Sequence, residues 1–286
     1  VADCHGSPRD RCGDPLLLKG DPMAISLKSL KRTTSLNPPV ILLYGVDGIG
    51  KTSLAAEFPD AVYLPTDGER APKGIELVGP TDSDGNQKPI ESYEELLDWF
   101  GLLLTEEHEY KTVIIDSLDG LEPLVWRATC ARLGIISIEE PGFGKGYVEA
   151  DSEWNEFLAA VSALAQRGIC VVMLAHPEII RFDSPVTDPY SRYQPKLHKR
   201  ANALVREKSD IVAFMNYRVS IKEKEVARQT KVAHAEGGKE RQIHLNEGAG
   251  FQAKNRYSMP DTIPYKKGAG YAELVKHFPA PTGIAA

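Results

Sequence analysis

No apolar run in these 286 residues approaches the ~20 that a helical membrane span requires, and the N-terminus carries no charged-then-apolar leader. The expectation is a cytoplasmic protein with no membrane partner. Cysteine is scarce as well. Of the four, Cys130 and Cys170 fall in apolar segments where the residue acts as a small hydrophobe. Cys4 and Cys12 stand at a spacing that matches no zinc pattern, so neither a metal knuckle nor a disulfide framework is expected. No internal repeat is visible. Nor is there an overall excess of positive charge: a formal net charge of −6 argues against a protein that coats nucleic acid uniformly. What remains is an ordinary globular composition, at a length that suits one α/β domain with small additions.

The chain is organised around Gly45-Val46-Asp47-Gly48-Ile49-Gly50-Lys51-Thr52. An apolar run, Val40-Ile41-Leu42-Leu43-Tyr44, precedes it, and a helical stretch beginning at Ser53 follows, so G-x-x-x-x-G-K-[ST] sits in its strand–loop–helix setting. Glycines let the backbone curl so that successive N–H groups face a phosphate. Lys51 is suited to the β- and γ-phosphates and Thr52 to Mg²⁺. The nine residues Gly45, Val46, Asp47, Gly48, Ile49, Gly50, Lys51, Thr52 and Ser53 are the candidate nucleotide contacts.

Thr112-Val113-Ile114-Ile115-Asp116 reads as a strand buried on both faces and ending in a carboxylate, the Walker B arrangement, with Asp116 as the second candidate metal residue beside Thr52. Asp119 is equally suited to cap the next helix or to touch metal. Ile169–Ala175 forms another apolar strand ending at His176, which is placed to sense the γ-phosphate or its water. Ala61–Leu64 is a further strand, followed by Thr66, Asp67 and Glu69. Ser92-x-x-Glu95 is a capping box ahead of an amphipathic helix. Trp154, Phe157, Leu158, Val161 and Leu164 share one helical face and read as core. Gly142–Tyr147 is either a connector or a phosphate or DNA contact.

Between Tyr190 and Lys231 eleven Lys/Arg stand against four acids, interleaved with Tyr190, Tyr193, Phe214 and Tyr217, a stretch suited to a polyanion. Here Pro177–Pro195 reads as a polar loop, Lys196–Lys208 as a helix, and Asp210–Tyr217 as a strand. Val219–Ile221 and Gln242–Leu245 read as arms of an antiparallel hairpin spanned by a mobile charged loop. Residues 1–22 read as a disordered extension, 23–264 as the main domain, and 265–286 as a short tail with one helix.

The ordered set Gly45–Thr52, Thr112–Asp119, Gly142–Tyr147, Leu174–Ile179, Tyr190–Lys199 and Ala253–Tyr257 resembles the phage-encoded AAA-type proteins that include RecA-like single-strand-annealing ATPases. The resemblance implies a RecA-like P-loop NTPase core: a mostly parallel sheet flanked by helices. It implies ATP and Mg²⁺ as cofactors, and a homo-oligomer, ring or filament, with ATP sites between subunits. It further implies single-stranded DNA as partner, contacted by Tyr190, Arg192, Tyr193, Lys196, Lys199 and Arg200, and a bacterial host cytoplasm. Lys254 and Arg256 resemble the Lys-x-Arg pair that related hexameric helicases insert into a neighbour's site. The family's catalytic glutamate directly follows a threonine at the end of the second strand; here Asp67 follows Thr66, and Glu69 comes two residues later. Asp67 by register and Glu69 by chemistry are both candidates to position water. Two other readings stand beside this one: a nucleoside monophosphate kinase, which lacks its acceptor-binding Asp-Arg pair here, and a nucleotide-binding scaffold with negligible hydrolysis.

Overall fold

The computed structural model describes residues 37–278 except 67, 70, 72, 186, 228 and 229, and for 219–237 it describes the backbone alone. The expectations for 1–22 and for a domain start at Met23 lie outside the described residues. In chain order the elements are β1 (Val40–Gly45), α1 (Lys51–Ala55), β2 (Ala61–Pro65), α2 (Tyr93–Thr105), β3 (Thr112–Asp116), α3 (Leu118–Leu133), α4 (Lys145–Glu149) and α5 (Asp151–Gln166). They continue with β4 (Cys170–Ala175), β5 (Pro177–Phe182), β6 (Tyr190–Pro195), α6 (Lys199–Lys208), β7 (Ile211–Ala227), β8 (Thr230–His244), β9 (Lys254–Asn255), β10 (Thr262–Tyr265) and α7 (Gly270–Leu274).

The main sheet runs β10-β8-β7-β1-β4-β3-β2, with β9 beside the start of β7. β2, β3, β4, β1 and the first part of β7 are parallel, whereas β8, β9 and β10 pair antiparallel. Alternation along β1 explains why its sequence is apolar throughout. Val40, Leu42 and Tyr44 face the layer built from α2, α3, α5 and α6, while Ile41 and Leu43 face α1 and the C-terminal segment. β3 and β4 divide in the same way, with Val113 and Ile115 opposite Ile114, and Val171 and Met173 opposite Val172 and Leu174. A strand covered on both faces needs no polar side and reads as a continuous hydrophobic run. Trp154, Phe157, Leu158, Val161 and Leu164 of α5 are buried on one face, as their spacing predicts.

Two loops read from sequence are strands instead. Pro177–Pro195 folds as the β5–β6 hairpin, in register from Pro177↔Pro195 to Phe182↔Tyr190. The edge-to-face contact of Phe182 and Tyr190 and the Arg192 guanidinium 3.8 Å above the Phe182 ring stabilise a two-stranded ribbon whose turn is rich in Asp, Ser and Pro. Likewise β7 does not stop at Tyr217. It continues to Ala227 and pairs with β8 back to Thr230, through a register shift between Tyr217 and Val219, so the expected mobile loop is a long antiparallel ribbon. The alternating Val219-Ser220-Ile221 run continues the strand period. The helix expected from Lys196 starts at Lys199. The backbone before it is committed elsewhere: the Lys196 N–H donates to the His176 carbonyl and the His198 N–H to the Glu122 carboxylate.

The sheet positions the glycine loop by setting the carboxyl end of β1 against Met215 of β7 with no room for a side chain between them. A Cβ on Gly45 would lie 2.3 Å from the Met215 carbonyl oxygen, and Val46 N–H donates to that same oxygen at 3.3 Å. Because the obstacle is backbone, Gly45→Ala must push the two strands apart, and it is expected to destabilise by about 1–3 kcal/mol. Urea unfolding checks this; a wild-type midpoint would show that the close approach relaxes freely.

Candidate functional site

The loop leaves the carboxyl end of β1, with β4, β3 and β2 on one side and β7 and β8 on the other. Gly48 and Gly50 take positive φ values of 68° and 106°, a region closed to most L-residues, while Ile49 between them is fully buried and pins the loop to the core. Lys51 is only 8% exposed, and its ammonium donates to the Gly45 carbonyl at 2.8 Å across the mouth of the loop. Burial pulls its pKa below the ordinary lysine value, and the nearby carboxylates of Asp47 and Asp116 act in the opposite sense. A buried cation held by one carbonyl, inside a ring of glycines, is suited to receive phosphate oxygens.

Thr52, the second residue of α1, donates its hydroxyl to Asp116 Oδ2 at 2.8 Å, and Tyr63 of β2 donates to the same oxygen at 3.0 Å. Asp116 is 2% exposed. Burial lifts its pKa above the usual carboxylate value, against the hydrogen bonds from Thr52 and Tyr63 and the charge of Lys51. Tyr63 escaped the sequence reading; its signal is a hydroxyl-bearing ring in an otherwise aliphatic strand. Among the described residues no group of three His, Cys, Asp or Glu side chains is arranged to hold a metal alone. A hydroxyl and one carboxylate at the loop instead match the way Mg²⁺ is held together with substrate phosphates. Thr52 and Asp116 fit that role.

Facing the loop from β2, β3 and β4 is a second cluster. His176 Nδ1 lies 2.9 Å from Asp119 Oδ2, and the His176 backbone N–H donates to Asp119 Oδ1 at 2.9 Å. The other ring nitrogen, Nε2, stands 3.8 Å from Glu69 Oε1. Asp119 therefore does not cap α3, which is capped by the Ser117 hydroxyl; it orients the histidine. The hydrogen bond to Asp119 raises the His176 pKa. Burial alone would raise Asp119, but bonds from the His176 ring and backbone outweigh it and leave the carboxyl below its ordinary value. Burial, then the Asp116 charge, raises Glu69. Glu69 thus joins the site; Asp67 lies outside the described residues. Thr66 is fixed by donating to the Ser117 carbonyl at 2.6 Å and accepting from the Ser117 N–H at 2.9 Å.

Lys254 and Arg256 are not in this cluster. β9 pairs with Ile211 and Val212, at the amino end of β7, whereas the loop meets β7 at Met215, four residues or about 13 Å further along the strand. Lys254 caps the end of α6 through the Arg206 and Glu207 carbonyls, and Arg256 pairs with Asp210 at 2.9 Å while remaining 52% exposed. The basic candidates divide similarly. Tyr193 stacks on Phe214 at 5.0 Å within the core, Arg200 is paired with Asp151, and Arg192 bonds Glu247 at 3.2 Å beneath Phe182. Tyr190 stands at the turn end of β6, and Lys196 and Lys199 are exposed at the join of β6 and α6. In the glycine-rich loop Phe143 is fully exposed, and Tyr147 stacks on His198 at 4.1 Å.

Residues 37–257 match the family profile described as an AAA domain. The chain is also 26% identical over 189 residues to the SPbeta prophage-derived uncharacterized protein YorG of Bacillus subtilis (strain 168). That alignment covers 63% of this chain and 51% of the relative, so the chain spans about half the relative's length.

The Asp119–His176 pair sets a pH dependence. A histidine raised by its partner contributes stability below its unfolded pKa, which is lost as pH rises through the folded value; a depressed carboxylate contributes above its unfolded pKa. Both contributions are present between the carboxylate and imidazole ranges. Asp119→Asn is therefore expected to destabilise more at about pH 5.5 than at about pH 9, measured by urea unfolding at both. An equal loss at the two values would mean the contact carries no charge.

Proposed function

We propose, from the premise that this chain belongs to the AAA domain family, that it is a phage-type RecA-like ATPase that works on single-stranded DNA during annealing or recombination in the host cytoplasm. Family membership implies nucleotide binding and hydrolysis. The observation that carries the ATPase reading is the 2.8 Å bond between Thr52 and Asp116, which joins the glycine loop to the end of β3 beside the Lys51 ammonium. Those three residues are placed for the β/γ end of ATP; Thr52 and Asp116 would hold Mg²⁺, which would supply neutralisation of phosphate charge. Glu69, lifted above the usual carboxylate range, orients the attacking water, and His176 reads the γ-phosphate with Nδ1 fixed on Asp119.

The β5–β6 hairpin supports the DNA part. It starts directly after His176 and returns to it, through the Lys196 N–H on the His176 carbonyl. Tyr190, Lys196 and Lys199 are the side chains there with room for bases and phosphates; Arg192 needs Glu247 to let go, and Tyr193 and Arg200 act as supports. ATP hydrolysis measured with and without single-stranded DNA tests the reading. Stimulation is expected, Lys51→Ala abolishes binding with the fold intact, and Glu69→Gln retains binding but not turnover. A rate indifferent to DNA would remove DNA from the function, and full ATP affinity in Lys51→Ala would remove the site.

Arg256 supports an assembly. It lies beyond the amino end of β7, away from its own loop, and is half exposed, which suits donation to a neighbour's site in a ring or filament. Arg256→Ala is expected to bind ATP and lose most hydrolysis, and mixtures of Arg256→Ala with Lys51→Ala to regain turnover. If mixtures stay inactive and the wild-type rate per subunit does not depend on concentration, Arg256 serves only its pairing with Asp210.

A further inference from the structure

Arg241 is absorbed by none of this. It lies on β8, in register with Tyr217 of β7 and Tyr265 of β10, nearly two hundred residues after the glycine loop. Its guanidinium nonetheless reaches that loop: Nη1 is 3.4 Å from the point a Cβ would occupy on Gly50, and the Tyr265 ring is 3.3 Å from the same point. Gly50 is the residue immediately before Lys51. The Arg241 guanidinium makes no hydrogen bond or ion pair with any described residue, although the carboxylates of Asp47, Asp116, Asp119 and Glu69 all act on neighbouring Lys51. Tyr265 is held in place. Its hydroxyl donates to Glu57 Oε1 at 3.2 Å, and the same carboxylate accepts from the N–H groups of Gly268 at 2.7 Å and Tyr271 at 3.0 Å. The Arg241 stem therefore lies beside a fixed ring, which limits the conformations its head can take.

Strand order says which part of a nucleotide this cation meets. Glu69, Asp116 and His176 come from β2, β3 and β4, all on one side of β1. β8 lies on the other side, beyond β7. A phosphate chain whose metal-binding, hydrolysed end faces Thr52 and Asp116 must run back across the loop, so its nucleoside end emerges toward β7 and β8.

We propose that Arg241 is a nucleotide-binding residue that contacts the α-phosphate at the nucleoside end of the site, with Tyr265 and Glu57 as its positioning residues. This rests on the reading of the glycine loop as a nucleotide site. A planar guanidinium suits a phosphate carrying two free oxygens, and an arginine left unpaired at the rim of such a loop is ready to make that contact without breaking another. Unlike Arg256, it acts within its own subunit and is needed equally for ATP and ADP.

Calorimetry on the full chain with MgADP and, separately, with magnesium pyrophosphate tests the assignment, using wild type, Arg241→Gln, Arg241→Lys and Lys51→Ala, with urea midpoints as the check on folding. Arg241→Gln is expected to weaken MgADP by at least about tenfold, the lower end of what a charge-assisted hydrogen bond supplies, and to leave pyrophosphate, whose two phosphates fill the β and γ positions, nearly unchanged. Arg241→Lys keeps the charge without the fork and should fall between wild type and Arg241→Gln, which preserves the test if Arg241→Gln folds poorly. Wild-type MgADP affinity in both Arg241 variants, with Lys51→Ala unable to bind, overturns the proposal and leaves the loop reading intact. Equal losses for the two ligands would move Arg241 to the β/γ end and overturn the nucleoside-end assignment. Full MgADP affinity in Lys51→Ala would instead defeat the loop reading, and the proposal with it.

Discussion

A carboxylate buried at the end of the central sheet is costly unless its charge is answered, and the site is built from the answers to Asp116. Thr52 donates from the first turn of α1, Tyr63 from β2, and Lys51 supplies charge from the loop. The start of α1, β2 and β3 are thereby joined through one side chain. Remove that carboxylate and Thr52 loses its link to β3, while the Tyr63 hydroxyl is left buried without its acceptor. The loop's shape therefore depends on the neighbouring strand as much as on its own glycines.

The opposite flank is secured in the same manner by Glu57, which follows α1 and gathers Tyr265, Gly268 and Tyr271. Gly270 has no room for a side chain: a Cβ there would lie 2.4 Å from Leu54 and 2.7 Å from the Tyr265 ring. Leu274, Tyr271 and Phe278 complete the apolar layer over Phe58. The boundary read at 264/265 falls inside β10, and the segment after it packs on the helix that carries Lys51 and Thr52. The phosphate-loop helix is only five residues long, too short to stand without tertiary packing, and this segment supplies part of it.

How much was legible follows from where each signal lives in the chain. The glycine loop is legible because its chemistry is contiguous. β1, β3 and β4 are legible because burial on both faces leaves an unbroken apolar run, and the Ser92–Glu95 box because a cap is a local bond, here 3.0 Å from Glu95 N–H to Ser92 Oγ. β5 and β6 are hidden because Ile179 and Arg181 are exposed, Tyr190 is half-buried, and they flank a turn rich in Asp and Pro, so polarity masks a strand period. The true partner of Asp119 was illegible for another reason. Its spacing from Ser117 fits a helix cap, and only the parallel pairing of β3 with β4 brings it to His176, 57 residues away. Arg241 depends on two antiparallel registers in succession, which no local pattern reveals.

His176 is where the site and the hairpin become one mechanical unit. Its backbone N–H is bonded to Asp119 and its carbonyl accepts from Lys196, so the residue is clamped between α3 and the base of the β5–β6 ribbon. Because Asp119 takes the hydrogen at Nδ1, the ring presents Nε2 toward Glu69, and at 3.8 Å that contact is too long for a hydrogen bond. The ring can gain a partner on that side without losing one on the other. A phosphate or water arriving between Nε2 and Glu69 therefore pulls on the imidazole alone, and the imidazole is tied to the first residue of β5 by one peptide bond. Next to the ribbon, Glu122 holds the His198 N–H, and burial raises its pKa to about 7, so the opposite strand's exit is anchored by a group that is itself poised between charge states. His176 is thus held on one side by α3 and on the other by the base of the hairpin that carries Tyr190 and Lys196.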